Sequence, residues 1–94
     1  MGTTQLTVFV ASPEAPSDTA ARAVAHARAA AGRFDDVEVS VVALSDPSAL
    51  ERGIGLEPTV MVDDLVVAVG QAPPAGHLVR ALQVARSRET GHAC

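Results

Sequence analysis

The densest group of side chains able to do chemistry lies in the stretch ASPEAPSD, Ala11 to Asp18, where Ser12, Ser17, Glu14 and Asp18 sit among Pro13 and Pro16. A serine hydroxyl becomes a nucleophile only when a base takes its proton. No histidine follows either serine at a spacing that suggests such a pair. If a helix begins just after the stretch, its N-terminus attracts anions, but Glu14 and Asp18 oppose one there. Two readings follow: a ligand or partner site with Ser12 and Ser17 as hydroxyl donors, or a rigid proline turn that caps a helix.

The other candidates are isolated. His26 falls in the middle of a helical stretch near Arg22 and is expected to face solvent, and His77 opens a later helix. Neither has a second ligand one helical turn away. His92 and Cys94 offer two donors, whereas structural zinc takes four, so no metal site and no cofactor is expected. Cys94 is the single cysteine and excludes an intramolecular disulfide. Asp63-Asp64 reads as a solvated turn. Pro58 stands apart, because an X–Pro bond lies only about 0.5–1 kcal/mol from cis–trans balance and packing can select cis. A cis bond there would bend the chain and present the Glu57 backbone to a peptide strand beside the first turn. No residue is assigned a catalytic role.

These residues need elements to position them. Leu6, Val8 and Val10 alternate with Thr7 and Phe9, the pattern of a strand buried on both faces. TAARAVAHARAAAGR, Thr19 to Arg33, is a helix by propensity, with Ser17 or Asp18 as N-cap and Gly32 near its end. Ala20, Val24, Ala27 and Ala31 are expected on its buried face. A second strand runs from Val37 to about Leu44. A short helix spans Ser48 to Arg52, with Ser45 or Asp46 as cap and Pro47 in its first turn. Thr59–Val62 and Leu65–Val69 form a hairpin across Asp63-Asp64, and Gly70 closes it. A last helix runs from Ala75 to about Arg88 behind Pro73-Pro74, with Leu78, Leu82, Ala85 and Val79 inward, leaving a loose tail over 89–94. The order is β-α-β-α-β-β-α. A right-handed crossover makes the first two strands parallel, so the expectation is an α/β domain with a four-stranded mixed sheet and helices on both faces.

The chain has 94 residues, which suits one domain spanning 1–94 with an ordered core over about 5–88. Apolar residues make up 48% but only Phe9 and Phe34 are aromatic, so the core must be built from Val, Leu, Ala and Met. The net charge of -4, with seven arginines, no lysine and no basic cluster, argues against nucleic-acid binding. No signal peptide, myristoylation pattern or apolar stretch of membrane-spanning length is legible. A cytoplasmic protein with no membrane association is the expectation.

The strand–turn–helix VFVASPEAPSDTAARAV, the Glu57-Pro58-Thr59 sequence opening the third strand, and the hairpin VMVDDLVVAVG followed by proline and a helix together resemble the small thioredoxin-like and glutaredoxin-like proteins. The resemblance covers nearly all of residues 5–86. It implies the thioredoxin-like fold and a cis-proline at Pro58. In redox members a Cys-x-x-Cys motif fills the first turn; aligned on the helix start, its positions fall at Ala15 and Asp18, with Pro16 between them. A dithiol works through a thiolate lowered in pKa by the helix N-terminus, and neither alanine nor aspartate supplies one. The resemblance therefore implies a redox-inactive domain that binds a protein partner or acts as a scaffold. Its expected contact residues are Ser12, Ala15, Pro16, Ser17, Glu57, Pro58 and Thr59. The clock-protein family KaiB is a second resemblance, carried by Val10-Ala11-Ser12, Ala15-Pro16, Asp46 to Leu50 and Pro58-Thr59, and it implies clock-type signalling. A thiol enzyme working through Cys94 is the third alternative. A homodimer is also expected to be accessible through the apolar strand Leu65–Val69, should it form a sheet edge.

Overall fold

Two apolar layers pack on the two faces of one sheet, and the residues that form them follow the strand alternation. The structure, a computed structural model, describes the backbone of residues 3–91 and the side chains of residues 3–85. The elements are β1 (Thr4–Val10), α1 (Asp18–Ala31), β2 (Val37–Ala43), α2 (Pro47–Glu51), β3 (Thr59–Val62), β4 (Leu65–Val69) and α3 (Ala75–Gly91). They build a small α/β domain with a four-stranded mixed sheet in the order β2-β1-β3-β4. β1 pairs parallel with β2, from Thr4 opposite Val37 to Val10 opposite Ala43. β1 pairs antiparallel with β3, and β3 antiparallel with β4.

Leu6, Val8 and Val10 of β1 point to one face and join Val60 and Val62 of β3 beneath α1 and α3. Leu78 and Leu82 of α3 are fully buried there. Each such leucine contributes roughly 1.5–3 kcal/mol by leaving water. Phe9 and Met61 point to the opposite face and pack with Ala49 of α2. The double burial of β1 expected from its sequence is present.

α1 buries Ala20, Ala23, Ala27, Ala30 and Ala31. The buried stripe thus runs through Ala23 and Ala30, and Val24, expected at its centre, sits at its half-buried margin. Methyl-sized side chains let the helix axis come close to the sheet, so a pure alanine stripe wins the inward position over the bulkier valine. α3 extends to Gly91, three residues past the expected end near Arg88, since no glycine or proline lies between Arg88 and Gly91 to stop the helix; the remainder of the expected tail lies outside the described residues. β1 likewise begins at Thr4, one residue before the expected core. The readings of His92 and Cys94 concern positions outside the described residues.

The hairpin turn is built on Asp63, which adopts a positive φ of 52°, a conformation aspartate tolerates better than most side chains. Its carboxylate Oδ1 accepts from Gln5 N at 3.0 Å, and its own N–H donates to Gln5 O at 2.8 Å. Asp63 therefore ties the hairpin to β1 and is more than the solvated turn residue expected. Asp64 is exposed and pairs with Arg52 at 3.3 Å. Along β4, Met61 faces Val66 and Val60 faces Ala68, which leaves Val67 as an extra residue, a β-bulge.

Candidate functional site

The turn after β1, the start of α1 and the start of β3 meet at one end of the sheet. α1 begins where Ser17 holds extended backbone and its Oγ accepts from Ala20 N at 3.2 Å, as an N-cap should. The same hydroxyl donates to Glu57 Oε1 at 3.1 Å. Glu57 Oε2 in turn accepts from Ala11 N at 3.2 Å. One carboxylate thus links the end of β1, the cap of α1 and the approach to β3. Asp18 adds a second acid in the first helical turn. The helix N-terminus already faces these acidic groups, and Ser17 caps it as the proline-turn reading expects.

The Glu57–Pro58 peptide bond is cis, as the resemblance implied. Gly70 N donates to Pro58 O at 2.7 Å, and Gly70 holds a φ of +74° that favours glycine. The glycine after β4 therefore fixes the proline corner from the far side. Thr59 is buried and its hydroxyl donates to Leu56 O at 2.8 Å.

Of the seven expected contact residues, Ser12, Ala15 and Ser17 are exposed, while Pro16 and Glu57 are half-buried. Ala15 N donates to Ser12 O at 3.2 Å and closes the turn. Pro58 and Thr59 are buried, so they shape the corner and offer a partner no side-chain surface. Among the described residues, no hydrogen bond engages the Glu57 backbone N–H or C=O. The exposed apolar side chain beside them is Leu56, 60% accessible, with Leu50 of α2, 67% accessible, earlier in the same connection. Sequence reading missed Leu56, because a leucine preceding a strand looks like core until burial is known.

A separate open groove of about 360 Å³ is lined by Pro13, Pro16, Ala21, Val24, Ala25, Arg28 and Val41. It shares Pro16 with the corner and then runs away from Pro58, along α1 toward β2. The corner and this groove are therefore neighbouring but distinct features.

His26 is half-buried and its Nδ1 lies 2.8 Å from Pro73 O. A carbonyl only accepts, so Nδ1–H donates, and His26 tethers α1 to the segment entering α3. This corrects the solvent-facing position expected for it, because α3 packs beside α1. His77 is exposed. Among the described residues no group of His, Cys, Asp or Glu is arranged to hold a metal ion, and no helix is long and apolar enough to cross a membrane. Asp46 caps α2, accepting from Ser48 N at 3.0 Å and Ser48 Oγ at 2.8 Å. These bonds, the backbone one first, hold its carboxyl below the usual aspartate range.

Protein-family models, curated proteins and solved structures give no match to the chain.

Proposed function

We propose that the chain is a redox-inactive, thioredoxin-like domain that binds a protein partner at the corner formed by the first turn, Leu56 and the cis-Pro58 segment. The observation that carries the reading is the Glu57 carboxylate joining Ser17 and Ala11 N, which ties the start of β3 to the first turn. By the resemblance, the sulfurs of a redox member would fall at Ala15 and Asp18, which carry none. The strand order β2-β1-β3-β4 also supports the reading. An unpaired Glu57 main chain, with exposed Leu56 and Ala15 beside it, suits pairing with an extended segment of a partner.

Two measurements test this. Insulin-disulfide reduction should show no turnover above background; turnover abolished by Cys94→Ser would replace the binding module with a thiol enzyme. In affinity capture from the native lysate, a specific partner should be retained by wild type and by the control Glu51→Gln. The same partner should be lost from Leu56→Glu and from Ala15→Glu. Retention of every captured protein by both corner variants would remove the corner from the binding surface.

A further inference from the structure

The groove beside α1 lies against a sheet edge that is free to accept another strand. Thr4 N donates to Asp36 O and Leu44 N donates to Val10 O. In a parallel ladder the groups of alternate residues point to the same neighbour, so even-numbered residues of β2 bond β1. The N–H and C=O groups of Val37, Val39 and Val41 consequently point outward from the sheet, where no strand among the described residues pairs with them. The β1–β2 register is unbroken over its whole length, whereas the opposite edge, β4, is interrupted by the bulge at Val67. Bulges discourage edge pairing; β2 lacks that protection.

The side chains of Val37, Val39 and Val41 pack toward α1 and α3, and Val41 floors the groove. A strand added to β2 would therefore direct alternate side chains over Val41 toward Val24, Ala25 and Arg28. Arg28 is the only charged residue lining the groove. Its guanidinium has no ion pair and no side-chain hydrogen bond among the described residues. Asp35, Asp36 and Glu38 lie at the N-terminal end of β2 and Glu14 lies in the turn at the other end, so acidic residues along the whole occupant would be repelled. One carboxylate at mid-segment, flanked by neutral residues, matches the charges present.

We infer that the β2 edge and the Arg28 groove form a second docking surface, for an extended segment of a partner protein that adds as a strand and places a single carboxylate against Arg28. This surface shares Pro16 with the proline corner but takes in neither Leu56 nor Pro58.

The probe is a capped, fluorescein-labelled heptapeptide of valine and threonine with one central glutamate, compared with the same peptide carrying glutamine. Fluorescence anisotropy should show the glutamate peptide binding the full chain, and the glutamine peptide binding up to about fivefold more weakly, the upper end of the range of an exposed charge pair. Arg28→Gln should erase that difference. Hydrogen exchange by NMR should show slowed amides at Val37, Val39 and Val41 on binding. Leu56→Glu should leave peptide affinity unchanged, which separates failure here from failure at the corner. The inference falls if the peptide does not bind, if Arg28→Gln leaves the preference intact, or if protection appears on β4 instead. It also falls if decanoate, and not the peptide, perturbs Val24, Ala25 and Val41, since the groove would then hold a small amphiphile.

Discussion

Without the Glu57 carboxylate, Ala11 N–H and the Ser17 hydroxyl lose a common acceptor. Both bonds are near solvent, so water replaces part of what is lost, and Glu57→Ala should destabilise the chain by about 1–2 kcal/mol in urea unfolding. Glu57→Gln keeps one carbonyl oxygen to accept and should cost less. A carboxylate also carries a pH signature at Asp46, whose folded pKa lies below its unfolded value through the bonds from Ser48. A depressed carboxyl stabilises the fold at pH above its unfolded pKa, and that contribution disappears as pH falls through the folded pKa. NMR titration should place the Asp46 midpoint below the ordinary value of about 3.9, and Ser48→Ala should move it upward. No movement would mean that the Ser48 bonds are not its cause.

At the scale of elements, the join between β4 and the proline corner depends on one backbone conformation. An added Cβ at Gly70 would meet nothing within 4 Å, so space does not forbid a side chain there. Its φ of +74° does, because a left-handed conformation costs other residues roughly 1–2 kcal/mol. Gly70→Ala should therefore lower stability by about that amount. Gly55 also has open space around a Cβ but no positive φ, and Gly55→Ala should be neutral or slightly stabilising. Equal losses at the two positions in chemical denaturation would show that conformation is not what distinguishes them. The α1 cap gives a parallel case: Ser17→Ala removes the acceptor of Ala20 N and should cost about 1 kcal/mol.

For the molecule as a whole, stability rests on the layer between the sheet and the pair α1–α3. Leu82 is fully buried among residues of that layer, and Leu82→Ala should cost about 2–5 kcal/mol. That is a large share of the roughly 5–15 kcal/mol that holds a domain of ordinary stability folded. Leu56→Glu should leave the thermal midpoint nearly unchanged, because that side chain is exposed. Together these variants separate the core from the corner: if Leu56→Glu unfolded the chain as Leu82→Ala does, loss of partner binding in Leu56→Glu would report stability and not contact.

The alternation of β1 and β2, the apolar runs of β3 and β4, the alanine helix and the Asp63-Asp64 hairpin were all legible in the residues, because each arises from patterns of period 2 or 3.6, from short apolar runs or from local turn chemistry. The absence of sulfur at Ala15 and Asp18 is likewise a property of the chain alone. Contacts between residues far apart in sequence needed the tertiary structure. Nothing local foretells that Glu57 reaches Ser17 and Ala11, that His26 meets Pro73, or that Val67 bulges. The same is true of Arg28, which reads as a surface helix residue until β2 closes one side of its groove. Local energetics choose the elements, but only their packing decides which polar groups find partners and which surfaces stay open.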